Sequence, residues 1–282
     1  MRKLATFAAV AALISTTVPA QAVDTYGVDI YMSAPTVQGT AVSTGLTAEN
    51  FNALTTGACP SSIAIGTLTG DCIVEAAGIY GGATSDGTNA TPTTGGAGSN
   101  YASTANPTTT VTIDLNEPAK YLGLWWSAGS PTNVVELYSG EDRVSYMTTA
   151  NLMTLLNSAS VTSVGGTSHD TNDYKGNPRN NTLAAAEPFL YLNLYGEGGA
   201  SFDRVVLSGA GFEFDNISVS DLQQAPSDGE VQVEFIPGEN DPAEQPEPLA
   251  NTGIDSTLLL GVSAALVASG LVLRRTRKAK NN

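Results

Sequence analysis

Apolar and polar residues trade places at every second position in several short stretches of this chain. Val28, Ile30 and Met32 alternate with Asp29 and Tyr31, Val111, Ile113 and Leu115 with Thr112 and Asp114, and Leu190, Leu192 and Leu194 with Tyr191, Asn193 and Tyr195. Period-two alternation turns one set of side chains toward a core and the other toward the opposite face of a strand. Clusters of Gly, Ser, Thr, Asn and Asp separate these stretches and predict turns. The simplest architecture that uses them is mainly β, an antiparallel, jelly-roll-like β-sandwich over residues 23–220. Two segments read as helical, Ala48 to Leu54 and Thr149 to Leu156, the second with Leu152, Leu155 and Leu156 on one side. The tract from Gly81 to Thr110, dominated by Gly, Ser, Thr and Asn, reads mostly as surface loop, as does His169 to Asp173.

Two stretches carry more than a core-and-surface pattern. In Tyr121-Leu122-Gly123-Leu124-Trp125-Trp126 the adjacent indoles must point to opposite faces of one strand. If Leu122 and Leu124 face the core, Trp126 joins them and Trp125 shares the other face with Tyr121. Flat aromatic rings in water grip sugar rings, so Tyr121 and Trp125, with the row Tyr191, Asn193 and Tyr195, are candidate glycan-binding residues. Burial of these rings beneath loops as ordinary packing is the alternative. From Phe212 to Val219 the apolar residues slip from even to odd positions, which asks for a bulge near Asp215 and Asn216. A re-aimed Asp215 is a candidate calcium ligand, because hard oxygen donors suit that ion; the alternative is that it holds a turn by hydrogen bonding.

The two ends are patterned differently. Arg2 and Lys3 precede an apolar run, Leu4 to Ile14, and a small-residue stretch, Val18-Pro19-Ala20-Gln21-Ala22. This predicts a secretory signal peptide over residues 1–22, with Ala20 and Ala22 as the small residues read at the cut before Val23. At the other end Leu249, Ala250, Asn251, Thr252 and Gly253 precede a span, residues 254–273, that is apolar from Thr257 to Leu273. A basic tail, residues 274–282, follows with Arg274, Arg275, Arg277, Lys278 and Lys280. The span is long enough to cross a hydrocarbon core as a transmembrane helix, and the tail would stay cytoplasmic. Pentapeptide, span and tail in this order resemble the sorting signals of Gram-positive surface proteins. Ala250 stands where the commonest signal has proline, similar to the variant of many actinobacteria. The resemblance implies a sortase as transient partner, whose thiolate attacks the Thr252 carbonyl, breaks the Thr252–Gly253 bond and passes the acyl group to peptidoglycan. It implies a cell-wall location reached from a membrane-inserted precursor.

Charge and composition narrow the picture. Between the two cuts, five basic residues stand against twenty-six acidic ones, a surface that repels nucleic acid. Eight of the acidic residues and five prolines, with no basic residue, fall between Asp221 and Pro248. That composition reads as an extended acidic spacer over 221–248, reaching roughly 90 Å at about 3.1 Å per residue. Val231-Gln232-Val233-Glu234-Phe235 alternates within it and reads alternatively as a last edge strand. Cys59 and Cys72, the only cysteines of a chain expected to be exported, should form a disulfide. With one histidine besides, ligands for a zinc site are too few. No nucleophile elbow, phosphate loop or metalloprotease helix is present, so neither an enzymatic activity nor a cofactor other than calcium is expected. In a distant alternative, a wall-acting glycoside hydrolase, Glu136, Glu187 and Glu213 are the carboxylates available to pair. Lys120 and Lys175 are the only lysines between the cuts, and would be the ones to form an isopeptide crosslink.

A second resemblance covers roughly residues 46 to 219. Glu49-Asn50-Phe51-Asn52-Ala53-Leu54, Tyr80-Gly81-Gly82-Ala83, Gly95 to Tyr101, Tyr121 to Asn133, Phe202-Asp203-Arg204 and Gly211 to Ile217 resemble the extracellular domain of exosortase-associated bacterial surface proteins and their actinobacterial wall-anchored relatives. That family implies a β-sandwich displayed outside the cell and brings no catalytic residue with it. The expected function is therefore surface display or adhesion, with a glycan or a surface protein as ligand. A structural surface-layer or matrix component without a discrete ligand is the alternative.

Overall fold

A computed structural model of the chain describes residues 27–35, 37–42, 44–76, 82–83, 99–104, 110–177 and 184–233. The strands in chain order are β1 (Val28–Met32), β2 (Leu46–Glu49), β3 (Gly57–Ala58), β4 (Ser62–Ile63), β5 (Gly66–Gly70), β6 (Cys72–Glu75), β7 (Tyr101–Thr104), β8 (Thr110–Ala119) and β9 (Tyr121–Ser127). They continue with β10 (Val134–Ser139), β11 (Asp142–Thr148), β12 (Ser160–Thr162), β13 (Ser168–Asp170), β14 (Leu190–Gly196), β15 (Phe202–Ser208), β16 (Glu213–Ser220) and β17 (Val231–Gln232). A helix, α1 (Thr149–Leu156), follows β11.

Fifteen of these strands form two large antiparallel sheets, and β12 and β13 pair with each other as a small third. One has the order β17-β1-β14-β9-β16-β7-β6-β3, with β2 also pairing β16; the other has the order β11-β10-β15-β8-β5-β4. Both contribute to one core. Leu122, Leu124 and Trp126 of β9, Leu190, Leu192 and Leu194 of β14, and Phe214 of β16 cluster with Val111 and Ile113 of β8, Val135 and Leu137 of β10, and Val205 and Leu207 of β15. The alternation therefore assigns the inward residues correctly, including Trp126. Cys59 and Cys72 are joined by a disulfide, with Cα atoms 5.3 Å apart. Between them the chain leaves the nine-stranded sheet, runs β4 and β5 in the other, and returns as β6, so the bond closes that excursion.

The phase slip in β16 is a bulge. Its register against β9 shifts between Asp215 and Ser218, and Asn216 has φ +45°. The helix runs Thr149–Leu156 as expected. Thr148 Oγ1 accepts from the Asn151 amide at 3.1 Å, and Asn151 Oδ1 accepts from the Thr148 amide at 3.0 Å, a reciprocal cap.

Other expectations are corrected. Ala48 to Leu54 is not a helix: Leu46–Glu49 is strand β2, and the Glu49 carboxylate accepts from the amides of Phe51, at 2.8 Å, and Ala64, at 3.0 Å. A long-range bond of that kind leaves no periodic trace in the sequence. The loop reading of Gly81 to Thr110 gives way at Tyr101–Thr104, which is strand β7. His169 to Asp173 includes β13 and a 3-10 turn, Thr171–Tyr174, whose Tyr174 is buried. The spacer does not begin at Asp221. Val231 and Val233 are buried, β17 (Val231–Gln232) pairs with β1, and the Val233 amide donates to Ile30 O at 2.8 Å, so the alternating stretch begins as an edge strand of the sheet. The signal peptide, the rest of the spacer, the sortase pentapeptide, the apolar span and the basic tail lie outside the described residues. No helix among the described residues is long and apolar enough to cross a membrane.

Candidate functional site

The face of the nine-stranded sheet that points away from the core carries most of the candidate residues. The register of β9 against β14 and β16 sets Tyr195, Tyr121 and Ser220 in one row, Asn193, Gly123 and Ser218 in the next, and Tyr191, Trp125 and Asp215 in a third. The expected orientation of Trp125 and Tyr121 is correct, but their solvent exposure is not: Trp125 is 2 % exposed, Tyr195 3 %, Asn193 1 %, and Tyr121 and Tyr191 0 %. Phe189, Ala128 and Ala83 pack with Trp125 and Tyr191, while Tyr31, Val42 and Leu46 pack with Tyr121 and Tyr195. Segments distant in the chain fold over this face, so these rings do not form an open platform.

Burial obliges the polar tips to find partners, and the tyrosines and Asn193 do, whereas the Trp125 indole N–H is buried without one among the described residues. Tyr121 Oη donates to Asn193 Oδ1 at 2.7 Å and lies 2.6 Å from Thr40 Oγ1, while Asn193 Nδ2 donates to Ser33 Oγ at 2.9 Å. Tyr191 Oη donates to Asn216 O at 3.0 Å, and Asn216 Nδ2 to Gln38 O at 2.8 Å. Tyr195 Oη reaches both oxygens of Glu230, at 3.0 and 2.9 Å, and so ties the segment before β17 to the sheet. Burial raises all three tyrosine pKa values well above the ordinary value. Glycine at 123 is needed in the middle: a Cβ there would stand 2.2 Å from Tyr191 Oη and 2.6 Å from Tyr121 Oη.

Asp215 sits at the bulge with no exposed surface. Its Oδ1 accepts from the Asn216 amide at 2.7 Å, and the single hydroxyl hydrogen of Ser99 is shared between its Oδ2, 2.9 Å away, and Ala83 O. The carboxylate thus holds its own turn and two glycine-rich segments. Asn100 joins the same assembly through Asn52 Oδ1, at 3.0 Å, and Leu54 O, at 3.1 Å. Four of the segments that carry the extracellular-domain resemblance therefore meet around Asp215. No cluster of three or more His, Cys, Asp or Glu side chains that could hold a metal occurs among the described residues.

The carboxylates proposed as a dyad divide. Glu213 is raised to about 8, first by burial and then by the charges of Glu187 and Glu75, with its own backbone amide opposing, and its Oε2 is buried without a hydrogen bond. Burial also raises Glu187. Glu136 belongs to the other sheet, where it pairs with Arg143 at 2.9 Å. Lys175 Nζ donates to Leu156 O at 2.9 Å, behind the last turn of α1. A cleft of about 150 Å³ beside β2 and β8, lined by Thr47, Asn116 and Glu117 among others, contains none of the candidate residues.

The outward face of the six-stranded sheet is different in kind. In β10, Glu136 and Tyr138 alternate with the buried Val135 and Leu137, and they meet Tyr146 and Arg143 of β11 and Arg204 of β15 across the strands. Arg143 stands 4.7 Å from the Tyr146 ring centroid and Arg204 4.5 Å from that of Tyr138. The sequence signal for this group is the alternation of Glu136 and Tyr138 with Val135 and Leu137 in Val134–Ser139. No known protein family, curated protein or solved structure matches the chain.

Proposed function

We propose that the chain is an exported surface protein, anchored covalently to peptidoglycan by a sortase, whose β-rich body is displayed outside the cell for adhesion. The observation that carries this reading is the order of Leu249 to Gly253, the apolar span and the basic tail at one end, with a signal peptide at the other. The two antiparallel sheets are read as the layers of a sandwich, in keeping with an exported module that a disulfide helps to hold. Its role is binding or display rather than catalysis. Asp215, with hydrogen bonds to both carboxylate oxygens, is read as a turn-holding residue more readily than as a calcium ligand. The spacer is shortened to the acidic, proline-rich stretch after Val233.

A second reading, a surface-layer or matrix component without a discrete ligand, is favoured by the burial of Tyr121, Trp125, Tyr191, Asn193 and Tyr195. Anchoring is tested in a Gram-positive host with a housekeeping sortase. Thr252→Ala should move the protein from the muramidase-released wall fraction to the detergent-extracted membrane fraction. Wall-linked material from that variant would refute the proposed cut.

A further inference from the structure

We propose that the outward face of the six-stranded sheet binds an acidic glycan, a sugar chain bearing isolated carboxylates, at Arg204, Tyr138, Tyr146 and Arg143. The proposal gives the adhesion reading a site and a ligand class, and it rests on that reading for its setting. Among the described residues, Tyr138 and Tyr146 are the phenylalanine, tyrosine and tryptophan side chains that are not fully buried. They stand on adjacent strands of the same outward face, each with an arginine against its ring. The charge of this face departs from the rest of the molecule. Arg143 and Arg204 are two of only five basic residues between the predicted cuts, where acidic residues number twenty-six.

The two arginines have different work. Arg143 is neutralised by Glu136, whose Oε1 also accepts from Tyr138 Oη at 3.3 Å. Arg204 has no carboxylate partner among the described residues; its Nη2 donates to Gly140 O at 3.0 Å and its plane lies over Tyr138. A guanidinium has five N–H donors, so most of those of Arg204 remain open to a ligand. Stacking and the Gly140 bond hold the group in place, which lowers the entropy lost on binding. A carboxylate seated there would gain charge-assisted, bidentate hydrogen bonds. Glu136 and the cross-strand neighbour Asp114 border the arginine, so polymers with a charge on every unit, such as nucleic acid, are repelled while a sparsely charged chain is accepted.

The test titrates the full chain, in detergent, with a uronic-acid-containing oligosaccharide and with its neutral, carboxyl-reduced counterpart. The acidic sugar should bind more tightly, and added salt should weaken it. Arg204→Gln and Tyr138→Ala should each weaken it by about tenfold or more, with Arg204→Lys in between. Thermal melts of each variant show whether the fold persists. Equal binding of the two sugars, binding of neither, or unchanged affinity in folded Arg204→Gln would overturn the proposal. Those outcomes leave wall linkage untouched, whereas failure of the Thr252→Ala test removes the anchoring reading and leaves sugar affinity as measured.

Discussion

Gly123 shows how strictly one position is set by what lies above it. Its backbone is roofed by two phenols, and neither can retreat: Tyr191 Oη is held by Asn216 O, and Tyr121 Oη by Asn193 and Thr40. Gly123→Ala would drive a methyl group into both hydroxyls at once. Overpacking of this kind should destabilise the fold by about 1–3 kcal/mol, read as a lower urea midpoint with unchanged slope. An unchanged midpoint would mean that the rings over Gly123 are free to move. A second residue-scale contrast lies between the two sheets. Tyrosines of the nine-stranded sheet end in hydrogen bonds to distant segments, whereas Tyr138 and Tyr146 end among charges at the surface.

At the scale of elements, β17 does more than extend a sheet. It pairs with β1, Glu230 just before it bonds Tyr195, and the Val164 amide donates to Glu230 O at 2.8 Å. Ending the chain after residue 222 should therefore lower the melting temperature and expose Tyr195 to quenchers, while ending it after residue 234 should do neither. Equal melting of the two truncations would mean that the strand is dispensable. What the sequence disclosed follows from the range of each interaction. The helix Thr149–Leu156 and the bulge at Asp215 were legible because a local period or its slip encodes them. The reading of Ala48 to Leu54 failed because β2 is an edge strand with a largely exposed pattern, held by pairing with β16 rather than by its own periodicity. Alternation also told which face Trp125 occupies but not what covers it. Its cover includes Ala83 and Phe189, and Gln38 and Ser99 add polar contacts to the same face; all are remote from Trp125 in sequence, and none belongs to a periodic stretch that would have pointed to it.

For the molecule as a whole, the carboxyls of Asp29, Glu187, Glu213 and Glu230, among the described residues, all move the same way under burial. Asp29 is raised to about 6 by burial, a hydrogen bond with Glu197 and the charge of that neighbour; Glu213 is raised to about 8, and Glu230 upward by burial. The folded protein therefore holds protons on these carboxyls that the unfolded chain, with ordinary carboxylate pKa values, has already released. Stability from this source is complete below the unfolded values, near pH 4, and is lost as pH rises through about 6 for Asp29 and about 8 for Glu213. The excess of acidic over basic residues acts in the same direction, since ionising further carboxyls adds to self-repulsion. This protein should melt at a higher temperature at pH 5 than at pH 9, the reverse of the acid sensitivity that salt-bridged carboxylates impose. Glu213→Gln should flatten the profile, raising the melting temperature at pH 8 to 9 and changing it little at pH 5. A profile that rises with pH, or one that Glu213→Gln leaves as steep as before, would show that the carboxyl is ionised in the fold and that its buried oxygen is satisfied by solvent.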